Sequence, residues 1–189
     1  MKLVAGLGNP GNEYADTYHN VGFKALDLLA SRFCAPDFRL DKKSNAYLSE
    51  QSIFGHKTVL CKPNTYMNLS GDAISYLARY YKIPPRDILV VYDDIDIKKG
   101  TVRARLDGSA GTHNGMRDIV AKLGSTDFAR VRVGTGLKPN FMALADYVLS
   151  RIPAFERDTV SGSISLACDF VEEWLSGKEW QALTVSVGQ

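Results

Sequence analysis

His19 and Asn20 close a polar loop, residues 12–20, that follows the glycine-rich turn Gly6-Leu7-Gly8-Asn9-Pro10-Gly11. An imidazole is the natural general base at neutral pH, and it works best when a carboxylate orients it. A suitable carboxylate stands in Asp93-Asp94, at the end of the apolar run over 88–92. That run reads as a buried strand, and in open α/β sheets ligands bind at the carboxyl ends of strands. One of Asp93, Asp94 and Asp96 is expected to cap a turn before Lys98-Lys99-Gly100 instead. Asn64-Thr65-Tyr66-Met67-Asn68-Leu69-Ser70-Gly71 also links a strand to a helix, with Asn68 at an N-cap position and Met67 expected in the core. Gly111-Thr112-His113-Asn114-Gly115 precedes another helix, where bare amides and the positive dipole end favour an anionic or oxyanionic group. Four such loops would gather asparagines, histidines and an aspartate at one end of one sheet.

Other chemistries lack their residues. The sequence holds no G-x-S-x-G elbow, no cysteine has a base beside it in an obvious motif, and the three histidines are not at metal-ligand spacing, so neither metal nor cofactor is expected. Gly6 to Gly11 matches G-x-G-x-x-G, yet Pro10 and the polar loop separate the last glycine from the first helix, which a dinucleotide site does not allow. A histidine, an aspartate and side-chain amides suit water activation beside a carbonyl. A lone imidazole without metal suits an ester, whose alkoxide leaves more readily than an amine. Net charge is only +2, but residues 98–138 hold nine Lys/Arg against three Asp, a local +6 that leaves −4 elsewhere. Arg103 and Arg105 stand two apart on an alternating strand, as do Arg130 and Arg132, so each pair shares a face. An activated ester on a polyanionic carrier would use both the pair and these cations.

The elements that must position these groups alternate along 189 residues of ordinary globular composition, 45% hydrophobic and 23% charged. Strands are expected over 2–5, 45–54, 57–61, 88–92, 101–106 and 129–133; 45–54 and 57–61 form a hairpin. Helices are expected over 21–33 with Asn20 as N-cap, over 72–81 before Pro84-Pro85, and over 115–123, 141–149 and about 154–175, with a flexible tail after Gln181. This pattern predicts a single α/β domain over 1–189, a three-layer sandwich of a mixed, mostly parallel sheet with helices on both faces. No apolar run reaches the roughly 18 residues of a membrane span. Three cysteines cannot all pair, and the apolar stretch over 1–6 is too short for a signal peptide. A cytoplasmic monomer away from membranes is the expectation.

Taken together, the motifs resemble the bacterial-type peptidyl-tRNA hydrolase family. The resemblance rests on the glycine turn with Tyr14 and Thr17, His19-Asn20-Val21-Gly22-Phe23, Lys62-Pro63 running into Asn64 to Gly71, Asp93-Asp94-Ile95-Asp96, His113-Asn114-Gly115 and Arg130-Val131-Arg132-Val133-Gly134, in the family's order over residues 1–150. It implies hydrolysis of the ester joining a peptide to the terminal ribose of tRNA. It implies His19 as general base, Asp93 holding its basic form, and Asn9, Asn68 and Asn114 binding the peptide and the tRNA 3′ end. Tyr14, Tyr66, Met67 and His113 would complete the acceptor-end site, and Arg103, Arg105 and Arg132 would contact phosphates. Tyr18 stands where the family usually has Arg, and Asp107 and Thr112 where Gly is common; Thr112, being β-branched, resists positive φ. The family also includes non-catalytic RNA-binding relatives in chloroplast splicing, a second reading that a peptide-release assay separates from the first.

Overall fold

Apolar residues at successive strand positions decide which layer each strand face meets. In the computed structural model, which describes residues 1–178, 180 and 182–188, the chain runs β1 (Lys2–Gly6), α1 (Val21–Arg32), β2 (Arg39–Asp41), β3 (Ala46–Ile53), β4 (His56–Pro63), α2 (Ser70–Tyr80), β5 (Ile88–Asp94), β6 (Thr101–Arg105), α3 (Asn114–Leu123), β7 (Ala129–Gly134), α4 (Leu144–Val148), α5 (Arg157–Leu175) and β8 (Leu183–Ser186). Val4, Leu89, Val91, Val131 and Val133 face α1 and α5. Leu3, Ala5, Ile88 and Val90 face α2 and α3. Strands apolar on both sides can be buried only between two helical layers, and the three-layer sandwich follows.

Among the described residues the sheet has eight strands in the order β2-β3-β4-β1-β5-β7-β6-β8. The four central strands, β4-β1-β5-β7, are parallel, and both margins are antiparallel. The parallel character therefore belongs to the centre, where the carboxyl ends of β1, β4 and β5 lie together. β2 is a short, polar edge strand that no periodicity announced. The tail expected after Gln181 is replaced by β8, which pairs with β6 from Thr101↔Ser186 to Ala104↔Leu183; Gln181 itself lies outside the described residues. Leu183 and Val185 rest against the α5 layer, so an otherwise open edge of β6 is covered.

Two glycines bring α1 against the sheet. A Cβ on Gly6 would lie 2.2 Å from the Gly22 carbonyl oxygen, and one on Gly22 would lie 2.4 Å from the Leu7 nitrogen and 2.5 Å from the Val91 oxygen. Backbone thus touches backbone where β1 ends and α1 begins. The Leu7 N–H donates to Val91 O at 2.9 Å and the Phe23 N–H donates to Leu7 O at 3.2 Å. These contacts fix the loop between Leu7 and Phe23, the loop that carries Asn9 and His19, beside the end of β5.

Candidate functional site

His19 sits in a 3₁₀ turn, Tyr18–Asn20, directly before α1. Its neighbours are pinned from the C-terminal side. Tyr18 is buried against Tyr147 with ring centroids 5.0 Å apart, and its hydroxyl donates to Glu156, which Lys99 also reaches at 2.6 Å. The Ile152 N–H donates to Asp16 O at 2.9 Å. Tyr18 therefore anchors the loop and does not line the cleft. Tyr18 holds its proton far above the ordinary phenol range because burial and the Glu156 carboxylate both oppose ionisation.

His19 Nδ1 lies 2.8 Å from Asp93 Oδ1, and His113 Nε2 lies 3.1 Å from the same oxygen. Asp93 is only 2% exposed. Burial pushes its carboxyl pKa up, yet the two imidazoles bonded to it more than offset that and hold it well below the usual carboxylate range. With Nδ1 turned to the carboxylate, His19 carries its proton there and leaves Nε2 as the basic nitrogen. Asp94 is the expected turn-capping aspartate: its Oδ1 accepts the Asp96 N–H at 2.8 Å. His19, Asp93 and His113 place their ligand atoms within 4.8 Å of one another, a grouping that sequence spacing hid. His113 Nδ1, however, accepts the Met116 N–H at 3.2 Å, so its Nε2 bears a proton toward Asp93 and offers no lone pair to a metal as the ring stands.

Asn20 does not cap α1 with its side chain. Its carboxamide instead brackets the backbone of Asn9, accepting from the Asn9 N–H and donating to Asn9 O, each at 2.9 Å. Asn9 Oδ1 accepts the Met67 N–H at 2.7 Å, which fixes the orientation of the amide and leaves the Nδ2 hydrogens for the cleft. Asn20 was missed as a site residue because its work is to hold another residue's backbone, which no motif spells out. Asn68 is likewise no side-chain cap; it lies exposed in the 3₁₀ turn Met67–Leu69 ahead of α2.

One cleft of about 900 Å³ is lined by Asn9, Tyr14, His19, Tyr66, Met67, Asn68, Asp93, Arg105, His113, Asn114 and Arg132. Arg103 is not among its lining residues; its Nε donates to Thr184 Oγ1 at 3.2 Å on β8. Met67 serves the core as well, between α2 and α3. Ile95, Leu144 and Val148 add an apolar wall that the sequence reading did not identify, although Leu144 and Val148 stand four apart on α4.

The fourth loop arrives differently from the other three. β6 is antiparallel to β7, so its end, Arg105 opposite Arg130, lies level with Val90, toward the amino ends of the parallel strands and three residues below Asp93. Residues 106–113 run back to the top of α3. Arg130 holds them: it is 1% exposed, stacks on Phe128 at 4.5 Å, and donates to Ser109 O and Thr126 O at 2.9 Å. It is a buried strut and no open cation, which corrects its pairing with Arg132 as a free charged face. Gly108 (φ 145°) and Gly111 (φ 57°) take the left-handed positions of the returning loop, so Thr112 is spared one. Arg103 faces Arg132 across the strands as Arg105 faces Arg130. Like charges directly opposite repel, and among the described residues only the Arg132 guanidinium of these four is ion-paired, with Asp94 at 2.6 Å.

An α/β sandwich with an imidazole, a buried carboxylate and side-chain amides around a cleft at the carboxyl ends of parallel strands has the make-up of a hydrolase. A sequence model of the family described as peptidyl-tRNA hydrolase matches residues 3–187. The chain is 50% identical over 173 residues to a peptidyl-tRNA hydrolase of Chloroflexus aurantiacus, covering 91% of each protein. It is 46% identical over 177 residues to one from Bacillus cereus, covering 93% of this chain and 94% of that protein. The crystal structure of peptidyl-tRNA hydrolase from Acinetobacter baumannii superposes with a TM-score of 0.88 at 35% identity, over 94% of this chain and 90% of that one. The chain belongs to the peptidyl-tRNA hydrolase family.

Proposed function

We propose that the protein hydrolyses the ester between a peptide, or an N-blocked aminoacyl group, and the 3′-terminal ribose of tRNA, freeing the tRNA for reuse in translation. The observation that carries this reading is the His19 Nδ1 to Asp93 Oδ1 bond of 2.8 Å, at one end of a cleft that reaches Arg105 and Arg132. His19 Nε2 takes a proton from water as the water oxygen attacks the ester carbonyl carbon. Asp93 stabilises the imidazolium that results. The carbonyl becomes an oxyanion, for which the Asn9 Nδ2 hydrogens are available donors. The carbon–oxygen bond to the ribose then breaks, and the departing ribose oxygen recovers the proton from the imidazolium.

Asn68 and Asn114, exposed at the head of α2 and α3, suit the peptide amides and the terminal nucleotide. Tyr66, 61% exposed, offers a ring on which a base can stack, with Tyr14 on the opposite loop. Arg105 and Arg132 supply phosphate contacts, and Arg103 extends the same face outside the cleft. None of these steps requires a metal or cofactor. On this reading the protein acts on tRNA in the cytoplasm as a monomer; no helix among the described residues is long and apolar enough to cross a membrane. The test is peptide release from N-acetyl-aminoacyl-tRNA. His19→Ala should lose about 10²- to 10⁴-fold in kcat/KM with its circular dichroism unchanged. A folded variant that turns over at the wild-type rate removes His19 as the base, and a wild-type protein that binds tRNA without releasing peptide favours the RNA-binding reading.

A further inference from the structure

His113 entered the sequence reading as a substrate contact, but both of its ring nitrogens are committed within the protein. Nδ1 accepts the Met116 N–H in the first turn of α3, and Nε2 faces the Asp93 oxygen that His19 also uses. We infer that His113 is a positioning residue: it shares the Asp93 carboxylate oxygen with His19, and so sets how strongly that carboxylate supports the general base. This rests on the reading of His19 as base given above.

The Met116 bond fixes the tautomer. A neutral imidazole that accepts at Nδ1 must carry its hydrogen at Nε2, so His113 is a donor to Asp93 and cannot be an acceptor there. Its orientation is fixed by packing as well, edge-on to Tyr92 with centroids 4.9 Å apart and 5.1 Å from the His19 ring. An oxygen that accepts at 3.1 Å from His113 has less charge to offer the donor at 2.8 Å from His19. The other titratable or charged groups lining the same cleft are Tyr14 on the His19 loop, Tyr92 and Asp94 on β5 with Asp96 beyond it, Arg105 on β6 with Asp107 beyond it, and Arg130 and Arg132 on β7, the last paired with Asp94; among the described residues only the two imidazoles hydrogen-bond the Asp93 side chain. His113 is thus the donor that competes directly for Asp93.

Two effects of opposite sign follow. The His113 donor keeps Asp93 ionised and in place, which aids catalysis, and it weakens the pull of Asp93 on the His19 proton. Removing the donor should therefore move the acidic limb of kcat/KM upward, opposite to the effect of Asp93→Asn, which removes the support altogether.

The experiment compares pH profiles of kcat/KM on N-acetyl-aminoacyl-tRNA for the wild type, Asp93→Asn, His113→Asn and His113→Gln. Asparagine keeps a good N-cap for α3 while its shorter amide stops short of Asp93; glutamine is one methylene longer and can restore the donor. The expected result is an acidic limb raised by about half a pH unit in His113→Asn, returned toward wild type in His113→Gln, and lowered in Asp93→Asn. A rise in KM with the limb unmoved in both His113 variants means a substrate contact and overturns the inference, as does a limb that moves down in both. If Asp93→Asn leaves the limb in place, Asp93 does not support the base and the inference is overturned, while His19 as base stands or falls separately with His19→Ala. Should His113→Asn not fold, His113→Gln and His113→Phe decide together: a wild-type limb in the first with an upward shift in the second, which fills the same space without a donor, supports the inference, and an unshifted His113→Phe limb overturns it.

Discussion

Asn9→Asp exchanges an NH₂ group for an oxygen at one point in the cleft while keeping the shape of the side chain. One carboxylate oxygen can take over from Oδ1 in accepting the Met67 N–H, at 2.7 Å in the wild type, and the two Asn20 bonds involve only the backbone of residue 9. The scaffold should therefore stay intact and the change should be felt by the ligand. Both substrates lose the donor to the ester oxyanion, which cancels in their ratio; the blocked one also loses a donor bond to its acyl carbonyl oxygen, about 1 kcal/mol, and meets an anion instead. An unblocked aminoacyl-tRNA brings an α-ammonium cation, for which a charged hydrogen bond contributes about 1.5–3 kcal/mol. Asn9 is only 7% exposed, so water screens neither effect strongly. The two act in opposite directions on the two substrates, and their sum of about 2.5–4 kcal/mol corresponds to a fall of about 10²- to 10³-fold in the ratio of kcat/KM for blocked over unblocked substrate. The assay is single-turnover release from N-acetyl-aminoacyl-tRNA and from aminoacyl-tRNA on the same tRNA body, with thermal unfolding as a control. A folded variant whose ratio stays within about threefold of wild type would show that Asn9 does not read the substrate's amino end, and that the donor facing the cleft belongs to another residue.

Arg105→Ala and Arg132→Ala should each weaken tRNA binding and flatten its salt dependence by about 0.7–0.9 per lost phosphate contact, while release from a short peptidyl ester without the tRNA body changes little; equal losses on both substrates would place them in the reaction site. Arg130→Met should leave that slope unaltered and lower stability instead, because a buried strut to Ser109 and Thr126 is removed; urea unfolding separates the two arginine classes. Gly22→Ala should destabilise by roughly 1–3 kcal/mol in urea unfolding, since its methyl would meet backbone atoms that cannot turn aside. Asp93 is held below the ordinary carboxylate range, so the stability it lends is present above that range and is lost as pH falls through its folded value. Unfolding free energies between pH 5 and pH 3 should therefore drop more steeply in the wild type than in Asp93→Asn, and parallel curves would contradict the depressed carboxyl.

Much of this protein was decided locally. The run over 88–92 is apolar at every position, which only a strand covered on both faces tolerates, and β5 is that strand. Gly6 and Gly22 stand where backbone meets backbone, and no residue with a Cβ fits there. His19, Asp93 and Asn9 announced themselves because imidazole, carboxylate and amide are few in kind and stand at strand ends or just before helices, where loops can present them. The tertiary structure decided how these groups share partners. Asn20 looks like a helix cap in sequence, but folding brings the Asn9 backbone within 2.9 Å of its amide, and a buried amide pair outcompetes a cap that water can satisfy. Arg130 and Arg132 follow the same two-residue alternation, yet one is walled in by the returning loop and the other reaches Asp94 in the cleft. β8 carries too short and weak an alternation to declare itself, and it becomes a strand because β6 leaves an edge with unpaired backbone groups beside it. Local pattern depends on the chain's own neighbours and is written along the sequence. Which donor meets which acceptor across 11, 74 or 20 residues of separation depends on the register of the sheet and the path of the loops, and those exist only once the layers have packed.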